Sequence, residues 1–177
     1  WPNAKGITYK RIEKHGLQWN CPDEDHPGTE ILHTESFAKQ VTAALRRIEF
    51  RPTKEIVSDD YPFLLTTGRA LYHFNAGTMT ERTPNLELRP SDLLEICHED
   101  AARIGVVNNE TVILRSKYGE AKLPVHVNDA MKTGELFCTF HMPQIFLNHI
   151  TSPYRDRFVM APEYKVTAVR IEKADQP

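Results

Sequence analysis

The chain has 177 residues, 40% hydrophobic and 26% charged, which suits one globular domain with a sizeable core, or one domain plus an appendage. A formal net charge of −2 supplies no basic field, so neither nucleic acid nor direct membrane contact is expected, although backbone amides and a few cations can still bind an anion locally. No apolar run approaches the ~18 residues of a membrane-spanning helix, and Cys21, Cys97 and Cys138 are too scattered for a disulfide framework, which points to a reducing, cytoplasmic setting.

Residues 1–57 read as an irregular lead segment and linker, and residues 58–177 as a β-barrel domain. The opening "WPNAKGITYKRI" has no initiator methionine, so a piece of a longer protein is expected. "LQWNCPDEDHPGTEILH" is rich in Pro, Gly, Asp and His without periodicity, and a mobile lead is expected there. Cys21, His26 and His33 raise a metal site, but their spacing fits no zinc pattern and a fourth ligand is missing, so none is assigned. Over 36–48, Phe37, Val41, Ala44, Leu45 and Ile48 recur at helical spacing behind Ser36 as N-cap, predicting a short helix; "RRIEFRP" also alternates like a strand. Pro52 and Pro62 bound a linker.

From Tyr61 the texture turns β-rich. "FLLTT" predicts a buried strand, and "DLLEIC" another with Leu94 and Ile96 inward. "HEDAARIGVV" predicts a short helix with acids in its first turn and Gly105 at C′. Val112 and Leu114 alternate, Tyr118-Gly119 turns, and Ala121, Leu123, Val125 and Val127 alternate again, predicting a hairpin. "GELFCTF" and "YKVTAVRIE" complete about six strands, hence a mainly β barrel or sandwich with short helices.

The stretch "LTTGRALYHFNAGTMTER" is too long and too mixed for a plain turn. Gly68 and Gly77 permit close backbone approach, and Thr67, Thr78 and Thr80 offer hydroxyls. Arg69 offers a planar fork, His73 and Asn75 directional polar atoms, and Tyr72 and Phe74 flat faces. No common phosphate loop is present. Two later spots are expected to converge on this loop: Phe140, His141 and Asn148 in "FHMPQIFLNHIT", and Tyr164 with Lys165 entering the last strand. An amide, an ammonium and a guanidinium in one crevice suit a polar heterocycle bearing phosphate. The competing reading is a ligand-free β-barrel interaction domain with a long polar connection. Adjacent Cys97 and His98 suggest a nucleophile and base, but neighbours at a strand end face apart, so His98 is read as opening the helix and no catalytic residue is assigned.

"LTTGRALYHFNAGTMTER", "EICHEDAARIGV", "VILRSKYGEAKLPVHV", "FHMPQIFLNHIT" and "PEYKVTAVRI" together resemble the C-terminal part of molybdopterin-dependent oxidoreductases. The likeness is greatest to the formate dehydrogenase alpha subunit, whose upstream segment the lead "GITYKRIEKHGLQWNCPDEDHPGTEILH" is similar to. The resemblance implies a double-psi β-barrel-like domain binding bis(molybdopterin guanine dinucleotide), with molybdenum or tungsten, for oxidation of formate to CO2. It implies cofactor-binding roles for Thr67, Gly68, Arg69, Tyr72, His73, Phe74, Asn75, Gly77, Thr78, Phe140, Asn148, Tyr164 and Lys165. The metal ligand and 4Fe-4S clusters are implied in other parts of the parent. Its other domains and electron-transfer subunits are the expected partners, and the fragment alone is expected to be inactive. A nitrate reductase or another member of the superfamily is the sibling reading. Cys97-His98 stands where the family often has Asn-Pro, which favours a structural role for Cys97.

Overall fold

The computed structural model describes residues 1–35, 37 and 42–174. The chain divides into two units, Trp1–Phe50 and Arg51–Pro177.

The first unit is irregular but internally bonded. A short helix, α1 (Tyr9–Ile12), carries Arg11, whose guanidinium donates to the carbonyls of Gly6 (2.6 Å) and His26 (2.7 Å). Cys21 is buried, its amide donating to Asn3 O and its carbonyl accepting from Gly6 N, with Sγ 3.3 Å from Arg11 Nη1. One guanidinium thus gathers turns that have no hydrophobic face of their own. Ser36 and Val41 of the expected helix lie outside the described residues. Residues 43–48 are not helical, and Leu45 and Ile48 are 99% and 90% exposed. A short helix that buries no apolar face does not repay its nucleation cost.

The second unit is the expected mainly β barrel. Strands β1 (Phe63–Gly68), β2 (Leu94–Ile96), β3 (Thr111–Ser116), β4 (Glu120–Val127), β5 (Glu135–Thr139) and β6 (Thr167–Lys173) close in the order β1-β5-β2-β4-β3-β6. Inward alternation fills the interior with Leu65, Leu94, Ile96, Val112, Leu114, Leu123, Val125 and Leu136, all fully buried. Truncating any of these leucines to alanine costs about 2–5 kcal/mol. The β3–β4 hairpin pairs Val112 with Leu123 and Leu114 with Ala121, as the alternation predicts.

Two short helices flank the strands, α2 (Asn85–Leu88) and α3 (His98–Ile104). Cys97 caps α3 through its sulfur, which accepts from Asp100 N, and Gly105 ends it at φ 73°. The amides of Gly105 and Val106 return to the carbonyls of Ala102 and Ala101, the left-handed stop that glycine adopts without a Cβ penalty. The Cys97 side chain is therefore a cap, while His98 faces Asp129 at 3.5 Å. Buried Asp100 then accepts from Gly134 N (2.6 Å) and Arg103 (2.5 Å), tying α3 to the entrance of β5.

Strand direction positions the site. β1 and β5 run parallel, with Gly68 opposite Thr139, so their outgoing loops leave side by side. β6 runs antiparallel to β1, with Thr167 opposite Leu65, so the loop entering β6 arrives at that same end. Three segments far apart in sequence meet there because of strand order alone.

Candidate functional site

At this end lies an open cavity of about 560 Å3, within the usual range for ligand sites. Arg69, Asn75 and Ala76 line it from the loop after β1, and Phe140, Asn148, Thr151, Ser152 and Pro153 from the loop after β5. Arg155, Pro162 and Tyr164 line it from the approach to β6. Among the described residues, none of these is acidic.

Arg69 Nε donates to Asn75 Oδ1 at 3.0 Å. Holding a guanidinium by its Nε fixes the plane and leaves the two terminal nitrogens as an open fork, the geometry that matches a carboxylate or phosphate. Asn75 adopts φ 50°, a left-handed position asparagine tolerates better than most residues. Asn148 stands on a 3-10 turn, Leu147–Ile150, anchored by buried Leu147 and Ile150. Phe146 just before it is held at φ 48°, a strained conformation for a bulky residue. Thr67 Oγ1 donates to Tyr164 O (3.2 Å), and Ser152 N donates to Thr167 Oγ1 (3.2 Å), so β1, β6 and the intervening loop share one seam.

A second, buried layer supports these loops. Asp92 is fully buried and accepts from Thr139 Oγ1 (2.6 Å), His141 N (3.0 Å) and Met142 N (3.0 Å), clamping the turn that presents Phe140. The His141 ring stacks on His73 with centroids 4.1 Å apart. His73 Nε2 lies 2.9 Å from Arg89 O, to which it must donate, leaving Nδ1 to accept from Thr80 Oγ1 at 2.9 Å. The His141 Nδ1 approaches Asp92 Oδ1 at 2.7 Å out of line, so neither of its ring nitrogens has a hydrogen-bond partner among the described residues. Burial lowers the His141 pKa, with Asp92 pulling the opposite way and His73 adding to the decrease.

Of the residues expected at the site, Arg69, Asn75, Phe140, Asn148 and Tyr164 come together around the cavity. Thr67 is buried beneath it, its hydroxyl spent on Tyr164 O. Gly68 and Gly77 have a different reason from the close ligand approach first read. A Cβ on Gly68 would meet the Phe137 ring at 2.6 Å, and one on Gly77, at φ 75°, would meet His141 O at 2.3 Å. Both glycines let the protein's own parts pack. His73 is likewise buried with both ring nitrogens engaged, so it shapes the loop instead of presenting a free edge. Tyr72, Phe74, Thr78 and Lys165 are exposed and do not line the cavity.

Arg155 was not singled out by sequence, nor were Thr151 and Ser152. Arg155 sits in "RDRFVMAPEY", whose look is that of an ordinary charged loop, and only the β1–β6 pairing reveals where it points. Asp92 was missed as well. An acid opening a strand looks exposed, and nothing local predicts that three donors from a distant turn converge on it.

Comparison with known proteins agrees with this geometry. A model of the "Molydopterin dinucleotide binding domain" family matches residues 63–168. The F420-dependent formate dehydrogenase subunit alpha of Methanocaldococcus jannaschii is 37% identical over 174 residues, covering 97% of this chain and 26% of that protein. The periplasmic nitrate reductase of Desulfovibrio desulfuricans is 32% identical over 187 residues, covering 96% and 25%. Acetylene hydratase from Pelobacter acetylenicus shares the fold at a TM-score of 0.57 and 15% identity, over 64% of this chain and 18% of that one. The chain spans about a quarter of the curated relatives it matches. The match runs from the first residue of β1 into β6 and takes in the loops around the cavity, and the chain belongs to the molydopterin dinucleotide binding domain family.

Proposed function

We propose that this chain is the cofactor-binding C-terminal part of a formate dehydrogenase alpha subunit and holds a molybdopterin guanine dinucleotide in the cavity at the β1–β5–β6 end. The observation that carries the reading is the donor set. An open guanidinium fork at Arg69, an amide at Asn148, a hydroxyl at Ser152 and a ring at Tyr164 surround a hollow with no acidic lining among the described residues. That set fits a phosphate-bearing heterocycle, since phosphate takes charge-assisted donors and the base takes directional polar atoms and a flat face.

With the cofactor bound, a metal–pterin redox centre becomes available, and the parent's reaction would be formate to CO2, a proton and two electrons. Within this chain, Arg69 neutralises phosphate charge, Asn148 fixes the orientation of the heterocycle, and Phe140 and Tyr164 keep water from one side. Electron-transfer subunits and the parent's 4Fe-4S clusters would then carry the electrons away. The formate dehydrogenase relatives support the substrate. The nitrate reductase relative favours a second reading with the same cofactor and a different substrate, which residues outside this chain would set.

The test is a full-length enzyme carrying Arg69→Gln and Asn148→Ala together. Pterin and nucleotide released per polypeptide should fall at least tenfold, on the order of two lost charge-assisted or polar contacts, while circular dichroism stays that of the unaltered protein. Full loading would end the reading. Formate oxidation without nitrate reduction by the unaltered enzyme separates the two substrates.

A further inference from the structure

The geometry points to Arg155 as a second anion-binding residue of the cavity, sharing with Arg69 the phosphate charge of the bound dinucleotide. The inference rests on the dinucleotide reading and adds a contact from the third converging segment. Arg155 lines the same hollow as Arg69 but comes from a different segment, the approach to β6.

Its backbone is built, not loose. Arg155 bridges to Pro162 in antiparallel fashion, Asp156 N donates to Ala161 O (2.8 Å), and Glu163 N donates to Tyr154 O (2.9 Å). Asp156, the nearest acid in sequence, spends its two carboxylate oxygens on Phe158 N (2.8 Å) and Val159 N (3.1 Å). Elsewhere in the barrel, Arg89, Arg103, Arg115 and Arg170 each pair with a carboxylate. Among the described residues, no carboxylate lies within ion-pairing distance of Arg69 or Arg155. Two uncompensated guanidiniums in one hollow repel each other, so an anion between them gains from both. A dinucleotide carries a diphosphate, whose charge suits two forks better than one.

The experiment uses the full-length enzyme purified with its cofactor. Wild type, Arg155→Gln, Arg155→Lys, Arg69→Gln and Arg157→Gln are diluted into rising salt, and nucleotide released after acid treatment is counted per polypeptide. Arg157 is the control, because it neighbours Arg155 in the loop but lies over the Phe158 ring, outside the cavity. Arg155→Gln should weaken retention on the order of tenfold, the scale of one charge-assisted contact. Arg155→Lys should recover part of it, having the charge without the fork, and Arg157→Gln should match wild type. Retention unchanged in Arg155→Gln while Arg69→Gln loses nucleotide overturns the role of Arg155 and leaves the cavity reading standing. Retention unchanged in both overturns the cavity reading itself. Equal losses in Arg155→Gln and Arg157→Gln also overturn the inference, since they make it loop charge and not the site.

Discussion

Replacing Asp92 by alanine removes the acceptor on which Thr139 Oγ1, His141 N and Met142 N converge. All of this happens at a fully buried carboxylate, so water cannot readily take its place. Leaving buried donors unpaired costs about 1–3 kcal/mol each, and allowing for partial relaxation the loss should be on the order of 3–5 kcal/mol. That is a large share of the roughly 5–15 kcal/mol that holds a domain together. Asp92→Asn is the sharper variant. Its carbonyl oxygen, in place of Oδ1, still accepts from Thr139 and His141, but the amide NH2 in place of Oδ2 meets Met142 N–H donor to donor. One contact is lost, for about 1–3 kcal/mol. Urea unfolding followed by far-ultraviolet circular dichroism reads both. With a slope of about 1–3 kcal/mol per molar urea, the alanine midpoint should fall by roughly 2 M and the asparagine midpoint by about half of that. An alanine shift below about 0.5 M, against the order-of-magnitude sum above, would refute the clamp. So would asparagine proving as harmful as alanine.

The buried histidine makes stability pH-dependent. Burial lowers the His141 pKa from 6.5, so the unfolded chain binds the proton more readily, and stability is lost as pH falls from about 6.5 through the lowered folded value. Urea midpoints between pH 7.5 and 5 should slope downward, and His141→Phe, which keeps the stack without a titrating ring, should flatten that slope; an unchanged slope would contradict the assignment. Asp100 acts in a lower window. Burial would raise its pKa, but the Gly134 amide and Arg103 outweigh it, so its contribution is lost only as pH falls below 3.8. Two of the four glycines at positive φ, Gly105 and Gly77, should also separate. Gly105→Ala, with nothing nearer than Lys173 Nζ at 3.7 Å, should cost about 1 kcal/mol from φ alone. Gly77→Ala adds a clash with His141 O and should cost at least about 2 kcal/mol by thermal unfolding. Equal losses would mean that the approach to His141 is not close.

The barrel was legible because its signals are local. Alternation named the inward residues of β3 and β4, and the acids and Gly105 bounded α3 within a residue. The site was half legible. Residue chemistry singled out Arg69, Asn75, Asn148 and Tyr164, all of which line the cavity, but chemistry cannot tell a side chain that faces the hollow from one that builds its wall. His73 and Gly77 look like ligand-facing residues in the sequence and are packing residues in the fold. Arg155 shows the converse. Its importance depends on β6 lying antiparallel to β1, a pairing of residues about a hundred positions apart that no local pattern encodes. Residues 43–48 of the expected helix are not helical, for a related reason. Periodicity says which face a helix would bury but not whether a surface exists to receive it.

A structure of the full-length enzyme with its cofactor bound is the most direct test of the central claim. The account predicts phosphate oxygens within hydrogen-bonding reach of the Arg69 fork, in the hollow walled by Phe140, Asn148 and Tyr164. A dinucleotide bound on another face of the barrel, with this hollow holding only solvent, would contradict it.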